Sequence, residues 1–453
     1  MRPDRPASRP GSKDKAQVAA HLDLELRERI LPYWLRTQDA VRGGYVVQDE
    51  HRTLRGAARA VRARARELLR YRLRGRPVPP MKKHLVSQSR LVWSFSLAHR
   101  LGYGDEERDY LGAAECGYRF LTERLLDGRH GGFCWKADLE GTIADPRKIL
   151  YGQSFALYAL VEYHRASGLA ESLAHARSLF EIVQTRMHDE ANGGWIEHCD
   201  PDFTPLVPDL DRPTRGLVDH VGLKSCNGHL HWMEALSELL EVTGDASARS
   251  ALKEVLEINA TRFYPPDPGE CCKYLEPDWA PVHGPLYDGF YYGHNFQFAW
   301  LMIRAQEVLG VPPGWDHFDA LLRHSLRYGF DHDRGGFYTS GFDNRPATRT
   351  EKFWWVQAEG LAALSDALGH RYDAEYDASL DLLLDWILNH QVLPDGIWVR
   401  STSAEGRILD RTKANSWKAA YHEVRGLTKF IQTFGAPADG DRARRSRPRS
   451  DPA

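Results

Sequence analysis

A Gly-Gly-aromatic step, recurring between runs of helix-like periodicity, restricts what this chain can fold into. It stands at Gly43-Gly44-Tyr45, Gly131-Gly132-Phe133, Gly193-Gly194-Trp195 and Gly335-Gly336-Phe337, with a looser copy at Asp395-Gly396-Ile397-Trp398. Paired glycines ahead of an aromatic residue mark a tight turn that opens into extended backbone. Short polar-apolar runs such as FCWKADLEG and WIEHCDPDFTP accompany them and read as strand-turn segments. Between the markers, apolar residues fall at three- to four-residue spacing over 87–101, 151–166, 228–242, 294–308, 355–367 and 377–391. That spacing lines one face of an α-helix. The marker returns about every 60–90 residues, with one interval about twice as long, so each unit holds two to four helices. Stacked helix pairs need capping units at their ends unless they close into a ring. The pattern therefore predicts an all-α chain folded as an (α/α) barrel with short β-hairpin loops.

No Pro/Ser-rich linker interrupts residues 21–434, which predicts one large domain. Residues 1–20 and 435–453 are rich in Arg, Pro, Ser and Asp, poor in core formers, and are expected to be disordered tails. Residues 51–83 carry twelve Lys/Arg and a single acid, Glu67. This basic, helix-prone insertion reads as a solvated face, or more sharply as a lid over an anionic substrate or a contact to an acidic partner. The net charge of −2 gives no support to a nucleic-acid or anionic-membrane partner. The first 20 residues lack an apolar signal core, and no apolar run approaches the ~18 residues of a membrane span. Six cysteines without a Cys-x-x-Cys pair read as reduced thiols. Together these features predict a cytoplasmic protein.

Three histidines stand in specific surroundings. They are His231 in Asn227-Gly228-His229-Leu230-His231-Trp232-Met233-Glu234, His294 in Tyr292-Gly293-His294-Asn295-Phe296-Gln297, and His422 in Trp417-Lys418-Ala419-Ala420-Tyr421-His422-Glu423. Taken singly, a histidine near a helix start is usually a hydrogen-bonded core residue. His231 and Glu234, three apart on a helix, share a face, and a carboxylate beside an imidazole raises its pKa and fixes its tautomer. His229, His231 and Glu234 match no standard zinc spacing, so no metal is expected. Arg90, in Gln88-Ser89-Arg90, is an ion-paired surface arginine or a substrate cation. The segment Lys352-Phe353-Trp354-Trp355-Val356-Gln357-Ala358-Glu359 is a core anchor or a sugar platform. No P-loop, G-x-G-x-x-G or G-x-S-x-G motif is present.

The segments QSRLVW, GGFCWKADLEG, YGQSFALYAL, NGHLHWMEA, YGHNFQFAWL, KFWWVQAE and WKAAYHEVRG follow one another in this order. Together they resemble the N-acylglucosamine 2-epimerase superfamily, which includes cellobiose 2-epimerases and mannose isomerases, over nearly the whole ordered chain. The resemblance implies an (α/α)6 barrel with its site at one mouth. It implies a sugar epimerase or isomerase that moves the C2 proton of a ring-opened aldose without a cofactor. It also implies His294 and His422 as the acid/base pair, His231 with Glu234 as a substrate-contacting or ring-opening group, and Arg90 as the cation for the sugar oxygens. Trp354, Trp355 and Trp417 would stand at the cleft, with Glu359 nearby, and a homodimer is compatible with the family. Two features depart from it. The family pattern carries Glu three residues after the middle histidine, where this chain has Gln297, which can orient His294 by a hydrogen bond but cannot raise its basicity by charge. The basic insertion is the other. A non-catalytic binding relative and a glycoside hydrolase on the same barrel are the competing readings; the hydrolase needs a pair of catalytic carboxylates.

Overall fold

The computed structural model describes residues 14–47, 82–208, 214 and 217–435. Most of the two expected tails and of the basic insertion lie outside the described residues.

Thirteen α-helices are described: α1 (Lys15–Glu25), α2 (Leu31–Leu35), α3 (Leu85–Arg100), α4 (Tyr110–Phe120), α5 (Leu150–Ser167), α6 (Ala170–Arg186), α7 (Cys226–Thr243), α8 (Ala246–Ile258), α9 (Tyr292–Leu309), α10 (Trp315–Gly329), α11 (Trp354–His370), α12 (Ala374–Trp386) and α13 (Tyr421–Phe434). A π-helical turn, Leu26–Ile30, joins α1 to α2. The predicted helices appear with ends displaced by a few residues. The 377–391 run ends in another π turn, Ile387–Gln391.

Helices α3, α5, α7, α9, α11 and α13 pack side by side in that order, and α13 returns to α3, so an inner ring closes. The helices between them, with α1–α2, form the outer layer. This is the (α/α)6 arrangement. Inner helices are buried nearly all round; in α5 every residue from Leu150 to Tyr163 is buried. Outer helices carry one apolar stripe, as in α10, which buries Phe318, Leu321, Leu322 and Leu326. The core lies between the layers, around fully buried Trp34, Trp135, Trp195, Trp232 and Trp386. Each such large side chain contributes on the order of 1.5–3 kcal/mol or more by leaving water.

Because every inner helix is entered after an outer one, all six N-termini point to the same end. That end is laced by short antiparallel pairings. The residues just before α3, α5, α7, α9 and α11 pair with segments about 50 residues further on: Lys82–His84 with Lys136–Asp138, Lys148–Ile149 with His198–Cys199, Lys224–Ser225 with Tyr274–Leu275, Phe290–Tyr291 with Ser340–Gly341, and Lys352–Phe353 with Ser401–Thr402.

The Gly-Gly-aromatic marker has a physical role in this lacing. Buried Lys83, Lys148, Lys224 and Lys352 donate to Asp39, Asp127, Asp189 and Asp331 at 3.0, 2.8, 2.9 and 2.9 Å. Three of them also donate to the carbonyl of the first glycine, Gly43, Gly193 or Gly335, at 2.6 Å. Gly335 has φ +81°, and a Cβ there would stand 2.1 Å from the Leu382 carbonyl oxygen, so only glycine fits. The aromatic residue is pinned by a side chain from the first turn of the next inner helix. Gln88 holds Tyr45, Gln153 holds Phe133 and Gln357 holds Phe337, each accepting from the backbone N–H and donating to the carbonyl. In the third unit His229 takes this place, its Nε2 accepting from the Trp195 N–H at 3.2 Å.

The sequence expectation differs at the N-terminus. Helix α1 begins at Lys15, inside the expected tail. Asp14 caps it by accepting from Ala16 and Gln17 N–H, and Lys15 pairs with Asp377 and Asp381 of α12 at 2.7 and 2.9 Å. The partners that order it lie at the far end of the chain.

Candidate active site

The first three turns of the inner helices carry the candidate residues at the mouth. His231 and Glu234 lie on α7, His294 and Gln297 on α9, Trp354, Trp355 and Glu359 on α11, His422 on α13 and Arg90 on α3. Trp417 sits in the loop before α13, 37% exposed at the rim.

Two histidines are braced in the same way. His231 Nδ1 bonds Glu234 at 2.8 Å, and His422 Nδ1 bonds Glu359 at 2.6 Å. A carboxylate on Nδ1 holds the proton there and leaves Nε2 as a lone pair. The two pairs are joined across the barrel. Arg425 bonds both Glu234 and Glu359, and the Tyr421 hydroxyl donates to Glu234 at 2.7 Å. Burial alone would raise Glu359, but Arg425 and His422 outweigh it and hold the carboxyl at about 2. Glu234 is likewise held below the usual range, burial being outweighed by Arg425 and His231.

The carboxylates do not raise the histidines, contrary to the sequence expectation. Burial pushes His422 down to about 3 against the pull of Glu359, and lowers His231 in spite of Glu234. His294 is also pushed to about 3, by burial and then by His231 and His422. The desolvation cost of the cation exceeds the gain from a partner that Arg425 already neutralises. All three rings are therefore neutral at neutral pH.

His294 has no carboxylate. Its Nδ1 faces Cys226 Sγ at 3.8 Å. Gln297 does not orient it: the side chain is fully buried, and neither of its amide atoms has a hydrogen-bond partner. Trp355 is the aromatic surface shared by the two rings, 5.0 Å from His294 and 6.0 Å from His422 by centroid. Its neighbour Trp354 is buried and packs under Lys418, so its place is in the wall.

Arg90 is 3% exposed. It donates to the Tyr151 hydroxyl at 2.8 Å and to the Trp417 carbonyl at 2.7 Å, with Phe155 and Tyr421 against its guanidinium. It thus ties the Trp417 loop to the ring. Trp417, at the rim, packs against buried Trp135 and half-buried His84, at 6.1 and 6.2 Å. Behind the histidines, Glu234 and Arg425 also face a charged cavity of about 300 Å³ at the opposite end of the barrel.

The sequence reading missed Arg425, Tyr421, Tyr151 and Cys226. Arg425 is three residues after His422 and so shares its face, a signal that was available. The contacts of Tyr151 and Cys226 cross between helices. Two neighbouring carboxylates, buried Glu197 and half-buried Asp219, also stand near the mouth. Burial and, for Glu197, the neighbouring Asp219 raise them; Ser225 donates to Glu197, and Tyr274 and Asn227 donate to Asp219. Among the described residues no three His, Cys, Asp or Glu side chains converge as metal ligands. No described helix is long and apolar enough to cross a membrane.

A profile of the N-acylglucosamine 2-epimerase family matches residues 68–425, most of the chain. The chain belongs to that family. A cellobiose 2-epimerase of Bacteroides fragilis is 27% identical over 418 residues, covering 90% of this chain and 97% of the relative. A D-mannose isomerase of Thermobifida fusca is 26% identical over 314 residues, covering 66% and 71%. The structure of cellobiose 2-epimerase from Spirochaeta thermophila superposes with a TM-score of 0.77 at 28% identity, covering 93% of this chain and 97% of that one. Family and relatives make this protein a sugar epimerase or isomerase, with a small-molecule sugar as substrate.

Proposed function

We propose that the protein opens the ring of a reducing aldose and moves the proton on C2 through an enediolate, with His422 and His294 as the proton-transferring groups. The observation that carries this reading is the pair of imidazoles against one Trp355 ring, one of them with a carboxylate on Nδ1.

In an aldose the C2 proton becomes acidic only once C1 is a free aldehyde. His422, with Nδ1–H committed to Glu359, offers its Nε2 lone pair to that proton. Removal leaves negative charge on O1 and O2. Arg90 supplies a fixed cation, and six inner-helix N-termini point at the mouth, each the positive end of a helix dipole. Return of a proton to the opposite face of C2 gives the epimer; return to C1 gives the ketose. Both outcomes are redox-neutral, so side-chain proton transfer suffices. His231, braced by Glu234, moves the hydroxyl proton when the ring opens. Trp355 supports the reducing-end sugar, and Trp417 at the rim suits a second sugar ring. Mannose and β-linked disaccharides such as cellobiose are accordingly the first substrates to try.

Proton NMR of the protein with mannose, glucose, fructose, N-acetylmannosamine and cellobiose in D2O tests the proposal. New sugar signals with deuterium at C2 or C1 are expected, and the labelled carbon separates epimerisation from isomerisation. No new sugar and no deuterium in any of them, followed by the same blank with anionic sugars, sinks the reading and leaves a binding protein.

A further inference from the structure

The three mouth histidines give an internal comparison. On α7 the i, i+3 carboxylate Glu234 reaches His231 Nδ1 at 2.8 Å. On α11 and α13, Glu359 reaches His422 Nδ1 at 2.6 Å. On α9 the i, i+3 place is Gln297, which makes no hydrogen bond, and Nδ1 of His294 turns to the thiol of Cys226, the first residue of α7, at 3.8 Å. Sulfur's larger radius allows a hydrogen bond at that length, towards the long end of its range. Two rings therefore face an acceptor at Nδ1, and the third faces a group that carries a proton of its own.

We propose that Cys226 is a positioning residue for His294: its S–H donates to Nδ1 and holds the neutral ring with its proton on Nε2, so His294 meets the substrate as a donor where His422 meets it as a base. The inference rests on the proton-transfer reading above. Burial pushes the Cys226 thiol up, so the sulfur keeps its proton at neutral pH. Tyr291 and Trp355 meet the His294 ring as aromatic surfaces and leave Nδ1 to the thiol. When Nε2–H passes its proton to the enediolate carbon, the Nε2–H bond breaks and the C–H bond forms. The proton that His422 took from C2 replaces it on Nε2 by way of solvent, so both rings return to their starting forms and the thiol keeps its proton throughout.

The test uses the full-length protein with 15N-labelled histidine. Signals of His294 and His422 are assigned by their loss in His294→Gln and His422→Gln, and long-range proton–nitrogen correlation at neutral pH reads which ring nitrogen is protonated. The expectation is a bare Nδ1 and protonated Nε2 at His294, with the reverse at His422. Cys226→Val releases that preference, and Cys226→Ser, which keeps a donor, restores it. A protonated Nδ1 at His294 in the native protein, or an unchanged tautomer in Cys226→Val, overturns the proposal. This readout needs no sugar, so its failure is distinct from a blank sugar panel, which would sink the reaction instead. On mannose or cellobiose, whichever turns over, Cys226→Val lowers kcat about tenfold with KM within about twofold, and Cys226→Ser recovers most of the loss. An undiminished kcat in Cys226→Val also overturns it.

Discussion

His422 and His294 lie against the same Trp355 ring, yet their second nitrogens are held by groups of opposite character. Behind His422 stand Glu359, Arg425, Glu234 and Tyr421, a buried network in which Arg425 bridges both carboxylates. Behind His294 stand a thiol and the unpartnered amide of Gln297. Burial dominates on both sides, and both rings are pushed down to about 3. The two walls therefore differ less in the charge of the imidazole than in which nitrogen carries the proton. A site can make two like residues chemically unlike by what it places at Nδ1 alone.

The largest expected effect attacks the braced side. His422→Ala should slow C2 proton exchange about 10²–10⁴-fold, followed by deuterium incorporation, while sugar binding measured by calorimetry persists. If exchange survives, the His294 wall supplies the base and the comparison is inverted. Glu359→Gln should cost about 100-fold in kcat, because His422 loses the partner that fixes its tautomer. It also leaves Arg425 with one carboxylate; breaking a buried pair costs about 3–5 kcal/mol, so thermal unfolding should move down by several degrees. A variant with normal kcat would show that the bond only packs.

Gln297→Glu sharpens the comparison from the other side. It puts a carboxylate where Glu234 stands relative to His231, and should draw the His294 proton to Nδ1. The ratio of deuterium in recovered substrate to that in product is expected to shift by roughly threefold to tenfold. No shift would mean that the carboxylate does not reach the ring. The last effect is on stability with pH. His294 and His422 have folded pKa values near 3 against an ordinary value of about 6.5. The folded state therefore binds fewer protons than the unfolded state in this window. Their contribution is complete above pH 6.5 and is lost as pH falls towards 3. The urea midpoint should drop over that range, more shallowly in His422→Gln, and the acid limb of kcat should lie below pH 6.5. A flat midpoint would mean that the rings are charged when folded.

Much of the fold was legible because its signals are local. Helix α11 was read over 355–367 and spans Trp354–His370, since its apolar spacing and the Gly335-Gly336 turn ahead of it lie within one stretch of chain. Residues 15–20 were misread because α1 is ordered by Asp377 and Asp381, which no window on the N-terminus contains. At the site, the histidines and Trp355 stand in motifs that can be recognised. The division of labour between His229 and His231 is not legible from their spacing. His229 pins Trp195 of the loop before it, and His231 turns to Glu234 and the axis. Two positions along a helix rotate a side chain by about 200°, but only the packed neighbours say which direction is inward.

The sequence by itself determined that this chain is a ring of repeated helix pairs, because glycine turns and apolar periodicity are properties of short segments. It also determined which residue types stand near the mouth. The tertiary structure decided what those residues are. Closure of α13 onto α3 brings Arg425 to Glu234 and Glu359 and buries all three, and the packing of α7 on α9 brings Cys226 to His294. Protonation and tautomer depend on desolvation and on partners within a few ångströms, and here those partners come from helices tens to hundreds of residues apart.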